Sequence, residues 1–433
     1  MIVADVRTEV SRLLAELIRI DTTNPPGNET AAAEHLKVYL ADAGIEAELA
    51  GREPDRASIV ARIPGSGDGP SLMLLGHTDV VLADPDEWSV PPFSGLDRDG
   101  HVWGRGALDM KGQVAAEAVA MATLARAGWR GNGDLIFCSV ADEEVGAGFG
   151  LNWLVEERPD LVRAEYVVNE GGGERISHAG RVAYTVSVGE KRCSAFAVTV
   201  RGKSGHASMP SAADNALLKL VPVIERIQRL QLPGRRMAEL DTFLAAIGEA
   251  GADPAELVQR CRSASPVIAA LVEPMLGATI APTGVEGSAR LNVIPNRARL
   301  VCDCRILPEM TQADLERAVR DALSGIDHEF EFVESDGGTL SPIDTPLYRA
   351  VDAFIPEIED GATAAPVVSA GFTDSHWMRE AFGAVAYGFM PMRMDPVVAG
   401  ALVHSADERV AKDDLELATR FFVHIARTVG RLT

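Results

Sequence analysis

The stretch SLMLLGHTDVV, residues 71–81, decides the fold. Leu72, Met73, Leu74 and Leu75 form a short β-like apolar run, and it breaks at Gly76 into the polar triplet His77, Thr78 and Asp79. Chemistry placed just past the end of an apolar strand is how an open α/β sheet presents side chains to a ligand crevice. His77 and Asp79 alternate with Thr78, so both can point to one face. Asp79 would then fix the tautomer of His77 and raise its basicity as a ligand. Taken alone, the triplet reads as a satisfied surface pair.

The same grammar recurs outward from this point. LIFCSVADEEVG (135–146) is a buried-strand pattern ending in Glu143 and Glu144, and YVVNEGGG (166–173) is another ending in Glu170. ALDMKG (107–112) puts Asp109 after a glycine-rich turn and before a helical stretch, where a simple helix cap is the alternative. His404 lies far away in ALVHSADERV (401–410), and Asp407 and Glu408 beside it would only solvate it. Two imidazoles and three carboxylates form an N/O donor set that suits zinc, cobalt or manganese. With one carboxylate shared, five ligands serve two metals and leave a place for water, so the pattern predicts a dinuclear hydrolytic centre.

Helical spacing over residues 3–20 and 31–43 alternates with the β-like runs ASIVARI and SLMLLGH, and residues 111–127 read as an alanine-rich helix. This predicts an α/β fold. The texture changes at Glu190. SAFAVTVRG reads as a strand, 215–230 as a helix, ARLNVIPNRARLVCDCRIL as a strand pair, TQADLERAVRDAL as a helix and HEFEFVES as a strand. That order is a split βαβ layer. A chain of 433 residues exceeds the size of one ordinary core. Two units are therefore expected, 1–189 with 339–433, and 190–338, the latter carrying an unassigned helical insertion within 231–287. The closing helix is expected over 415–430.

Composition narrows the partners. The net charge of −22 comes without a Lys/Arg-rich block, which argues against a nucleic-acid partner. No stretch of about 18 apolar residues and no signal-peptide pattern occurs, so the expectation is a cytoplasmic location without a membrane span. The five cysteines form no CxxC pair, and Cys302 and Cys304 share one strand face, which reads as core packing.

Together the segments from DTTNPPGNE (21–29) to VHSADERV (403–410) resemble the M20 metallopeptidase and amidohydrolase family, which includes aminoacylases, desuccinylases, dipeptidases and glutamate carboxypeptidases. The resemblance implies a mixed-sheet zinc-hydrolase catalytic domain with an inserted α+β lid that mediates homodimerisation. It implies that His77 and Glu170 bind one metal, Glu144 and His404 the second, and that Asp109 bridges them, zinc being expected ahead of cobalt or manganese. It makes Asp79 the orienting acid, Glu143 the general acid/base, and His206 of GKSGHASMP the oxyanion stabiliser, often supplied by the partner subunit. Asn292 and Arg305 become candidates for substrate binding, with turn capping and pairing to lid acids as their alternatives.

One departure concerns FTDSHW, where the family often has TDxR, because His376 cannot reproduce the bidentate grip of arginine on a carboxylate. The expected activity is metal-dependent hydrolysis of an amide bond in an N-acyl amino acid or small peptide. A dipeptidase or carboxypeptidase of the same family is the alternative, and a non-catalytic metal-stabilised binding protein is the reading from another class.

Overall fold

The computed structural model describes residues 5–433, so the first two positions of the helix expected from residue 3 lie outside the described residues. From residue 6 that helix is present as Val6–Ile18. The strand Leu72–His77 lies inside a nine-stranded sheet and is buried at every position. It runs parallel to both of its neighbours, Leu135–Val140 and Tyr166–Asn169, pairing His77 with Val140. Parallel strands with apolar faces on both sides must be covered by helices. Lys111–Arg126 does this from one side, and its run of small alanines lets it pack closely between Val6–Ile18 and Lys412–Val429.

The three parallel strands end at one edge of the sheet, so the residues that follow them converge there. Beyond them the sheet is mixed. Ser58–Ile63 runs antiparallel to Leu135–Val140, whereas Val385–Gly388 runs parallel to Tyr166–Asn169. Arg181–Glu190 and Thr363–Ser369 form a parallel pair at the far side.

Residues from Arg192 to Gly337 build a second sheet, in which Phe196–Arg201 lies between Glu329–Phe332 and Arg297–Ile306. Along Arg297–Ile306 burial alternates residue by residue, and Cys302 and Cys304 are both fully buried, as their spacing predicts. Ala216–Arg229 and Gln312–Ala322 cover that face.

Two expectations need correction here. The run 289–307 is not a strand pair: only Arg297–Ile306 joins the sheet, while Val293–Ile294 pairs instead with Gly205–His206. The second partner of Arg297–Ile306 is Thr279–Glu286, which the sequence reading missed. It contains Pro282, is mostly exposed and carries a bulge after Pro282, features tolerated at a sheet edge.

The unassigned insertion contains the helices Ala238–Ala246, Pro254–Ala264 and Pro266–Val272. They do not pack as an extension of the second sheet. Leu240, Phe243 and Leu244 share a core with Ala365, Val367 and Val368 of the large sheet. The crossing between the two sheets is pinned by a buried ion pair, Arg379 Nη1 to Glu190 Oε1 at 2.7 Å, and by Lys191 Nζ, which donates to the Gly277 carbonyl at 2.7 Å.

Candidate metal centre

Five loops deliver the expected residues to one place. His77 ends its strand with only 1% of its side chain exposed. Its Nδ1 lies 3.1 Å from the Asp79 carbonyl and 3.4 Å from Asp79 Oδ1. Its Nε2 lies 3.3 Å from Asp109 Oδ1, 3.8 Å from Glu170 Oε2 and 3.9 Å from Glu143 Oε2. The other oxygen of Asp109 meets His404 Nε2 at 3.0 Å, and that nitrogen is 3.4 Å from Glu144 Oε2. One carboxylate therefore sits between two imidazoles.

The electrostatics follow from this crowding. Burial opposes the charge on Asp109, but the two imidazoles that flank it, His404 and His77, outweigh it and hold its carboxyl below the usual range. Hydrogen bonds to Asp109 and Glu144 push His404 up to about 10. Glu143 moves the other way: burial, reinforced by the charge of Glu170, pushes its carboxyl well above an ordinary glutamate.

The residues fit divalent metals. Ligand atoms of His77, Asp109 and Glu144 fall within 4.8 Å of one another, and so do those of His77, Glu143 and Glu170. Among the described residues, His77 Nε2 and Glu144 Oε1 are buried without a hydrogen-bond partner, which a folded protein avoids unless something else satisfies them. His404 holds a left-handed backbone (φ 58°), a conformation that clusters at functional sites.

Asp79 is fully buried and its oxygens are used on the protein itself. Oδ2 accepts from Asn24 Nδ2 at 2.9 Å and from Glu144 N at 3.1 Å, and Oδ1 accepts from Glu143 N at 3.2 Å. His206, Asn292 and Arg305 are not part of this cluster. His206 and Asn292 are exposed on one small ribbon, with His206 Nδ1 at 2.7 Å from Ser208 Oγ and Ala207 N donating to the Asn292 carbonyl at 3.0 Å. Arg305 is partly buried and pairs with Asp303 at 3.0 Å. His376 is buried, and its Nδ1 donates to the Thr373 carbonyl at 2.7 Å.

Three residues were misread or missed. Glu408 does not solvate His404: it is buried and accepts from the backbone N–H groups of Gly106, Leu108 and Asp109 at 3.0, 2.7 and 3.1 Å, fixing the loop that carries Asp109. Asp374, quoted within FTDSHW but not assigned, is buried with Oδ2 unpartnered among the described residues. Burial raises its carboxyl well up, aided by the charges of Glu170, Asp79 and Asp142. Asn24 of the TTNPPG segment reaches Asp79 from 55 residues away, a contact no local spacing announces.

A sequence profile of peptidase family M20/M25/M40 matches residues 73–428. A succinyl-diaminopimelate desuccinylase from Methylobacterium sp. is 29% identical over 94% of this chain and 93% of its own length. The N-fatty-acyl-amino acid synthase/hydrolase PM20D1 of Xenopus tropicalis is 26% identical over 82% of this chain and 71% of its own. In fold, an M20 family metallo-carboxypeptidase from Sulfolobus solfataricus superposes with a TM-score of 0.70 at 18% identity, covering 98% of this chain and 99% of the other. With the profile spanning most of the chain, this protein belongs to peptidase family M20/M25/M40 and is a hydrolase of amide or peptide bonds.

Proposed function

We propose that the chain hydrolyses the amide bond of an N-acyl amino acid or short peptide, with Glu143 as the group that moves the proton. The observation that carries this is the position of Asp109 between His77 and His404, with Glu143 facing His77 from the end of the neighbouring parallel strand. His77, Asp109 and Glu170 would hold one divalent ion, and Asp109, Glu144 and His404 the other, the N/O donor set suiting zinc, cobalt or manganese and the family resemblance putting zinc first. Bound there, such ions acidify water and polarise the scissile carbonyl.

Glu143 accepts the proton of the attacking water and returns it to the leaving nitrogen. Its raised carboxyl suits the first half of that task, because a strongly acidic group would be too weak a base to take the proton from water. Asp79 keeps His77 oriented and holds the Glu143–Val145 turn through two N–H groups. His206 lies outside the cluster of its own chain, which favours its supply from a second copy paired through residues 190–338. There it would stabilise the developing oxyanion, with Asn292 and Arg305 contacting substrate.

Substrate choice turns on His376. Its buried ring spends Nδ1 on a backbone carbonyl, so it offers no fork to a carboxylate. The relatives suggest N-acyl amino acids, in line with the desuccinylase and the N-fatty-acyl hydrolase. The test is amine release from a panel of N-acyl amino acids, their carboxamides and dipeptides. It uses zinc- or cobalt-loaded protein of known mass by light scattering, with Glu143→Ala as control. Metal-dependent release that vanishes in the control is expected. Equal release by the control would remove Glu143 from the role.

A further inference from the structure

Asp142 immediately precedes the Glu143–Val145 turn, and its backbone is left-handed (φ 67°). A residue other than glycine keeps that conformation only where its surroundings over-determine it. The carboxylate of Asp142 provides this. Oδ2 accepts from Phe149 N at 3.1 Å, and Oδ1 accepts from Asn24 Nδ2 at 2.9 Å and from Arg56 Nη2 at 2.7 Å. Its carbonyl accepts from Gly146 N and Ala147 N, closing the turn on itself.

Arg56 is committed through Nε, Nη2 and the face of its guanidinium. Nε and Nη2 fork onto Glu29 at 2.7 and 2.8 Å, and the guanidinium lies 4.8 Å from the centre of the Phe149 ring. The 24–29 loop approaches so closely that a Cβ on Gly27 would stand 2.2 Å from Arg56 Nε. The Glu29 side chain is fully buried and that of Arg56 is 11% exposed. Burying such a set of charges carries a desolvation cost that is a poor route to stability, so its purpose is sought in geometry. All of its contacts lie on the two loops that meet at Asp79 and Glu143.

From this we infer that Arg56 is a positioning residue for hydrolysis: by tying Glu29 to Asp142 it holds the 142–149 turn in the conformation that aims Glu143 at the reacting water. The inference rests on Glu143 being the proton carrier. Without Arg56, Asp142 Oδ1 keeps only Asn24, and the left-handed residue loses its one charged restraint, which lets the turn shift and carry Glu143 off line.

The experiment compares Arg56→Met and Arg56→Lys with the parent on the best substrate of the panel, each metal-loaded and checked for metal content and melting temperature. Arg56→Met should lower kcat by about 10–100-fold while KM and metal stoichiometry stay close to the parent. Arg56→Lys should fall between, since an ammonium cannot fork. In a Glu143→Gln background Arg56→Met should cost nothing further, because its effect passes through Glu143.

Parent-like kcat in folded Arg56→Met overturns the inference, and so does an equal fractional loss in the Glu143→Gln background. Full turnover by Glu143→Gln itself instead overturns the reading of Glu143 on which the inference stands. Should Arg56→Met not accumulate as folded protein, Arg56→Lys alone and combined with Glu143→Gln carries the same comparison.

Discussion

Asp79 is fully buried just past the strand that ends at His77. Each of its oxygens is already occupied by donors from Asn24, Glu143 N and Glu144 N, and it stands beside His77 Nδ1. An asparagine there would turn an amide nitrogen toward one of those donors. Asp79→Asn should therefore fold yet lose about 10–100-fold in metal affinity or turnover, as removal of an orienting partner commonly does. A metal titration identical to the parent would show that His77 needs no orienting acid. The placement of Asp79 beside His77 was legible because two-residue spacing at a strand end is a local pattern. Arg56, Glu29 and Glu408 were not legible, because their partners lie 27 to 303 residues away.

At the scale of elements, the apolar runs 72–75, 135–140 and 166–168 announced the strands that end at the site, since burial on both faces leaves no other pattern. Where burial was weak the reading failed, as at the exposed edge strand Thr279–Glu286. The insertion helices gave a clear helical pattern but no address, and their docking on Thr363–Ser369 depends on the shape of the sheet edge.

Lys191 sits at that junction, and burial lowers its ammonium to about 8. The unfolded lysine titrates near 10.5, so between about 8 and 10.5 the unfolded chain binds a proton that the folded chain does not, and stability from this group rises with pH. The denaturation midpoint of the parent should gain on that of Lys191→Met across this window. A constant difference between the two would mean the ammonium is not buried in solution.

For the whole molecule the dominant fact is the meeting of Asp79, Asp109, Glu143, Glu144, Glu170 and Asp374 at one end of the large sheet, faced by His77 and His404. So many acids repel one another and resist desolvation, and bound cations offset both costs. Chelation should lower the melting temperature, and added zinc should restore it. The gain should follow mass action, about 2.7 kcal/mol at one hundred times the dissociation constant. Metal-free and metal-loaded protein melting together would contradict metal binding by the folded state alone.

The sequence by itself determined the α/β class, the strand ends and the chemical types gathered there, because strand burial and ligand chemistry are written in short segments. It also carried the family resemblance, because several ordered segments are compared at once. Only the tertiary structure decided which acid faces which imidazole, that Glu408 braces the Asp109 loop, and that Arg56 bridges Glu29 to Asp142. Those pairings join residues far apart in the chain, and long-range contacts arise from how the sheet and its loops close in space, not from any local spacing.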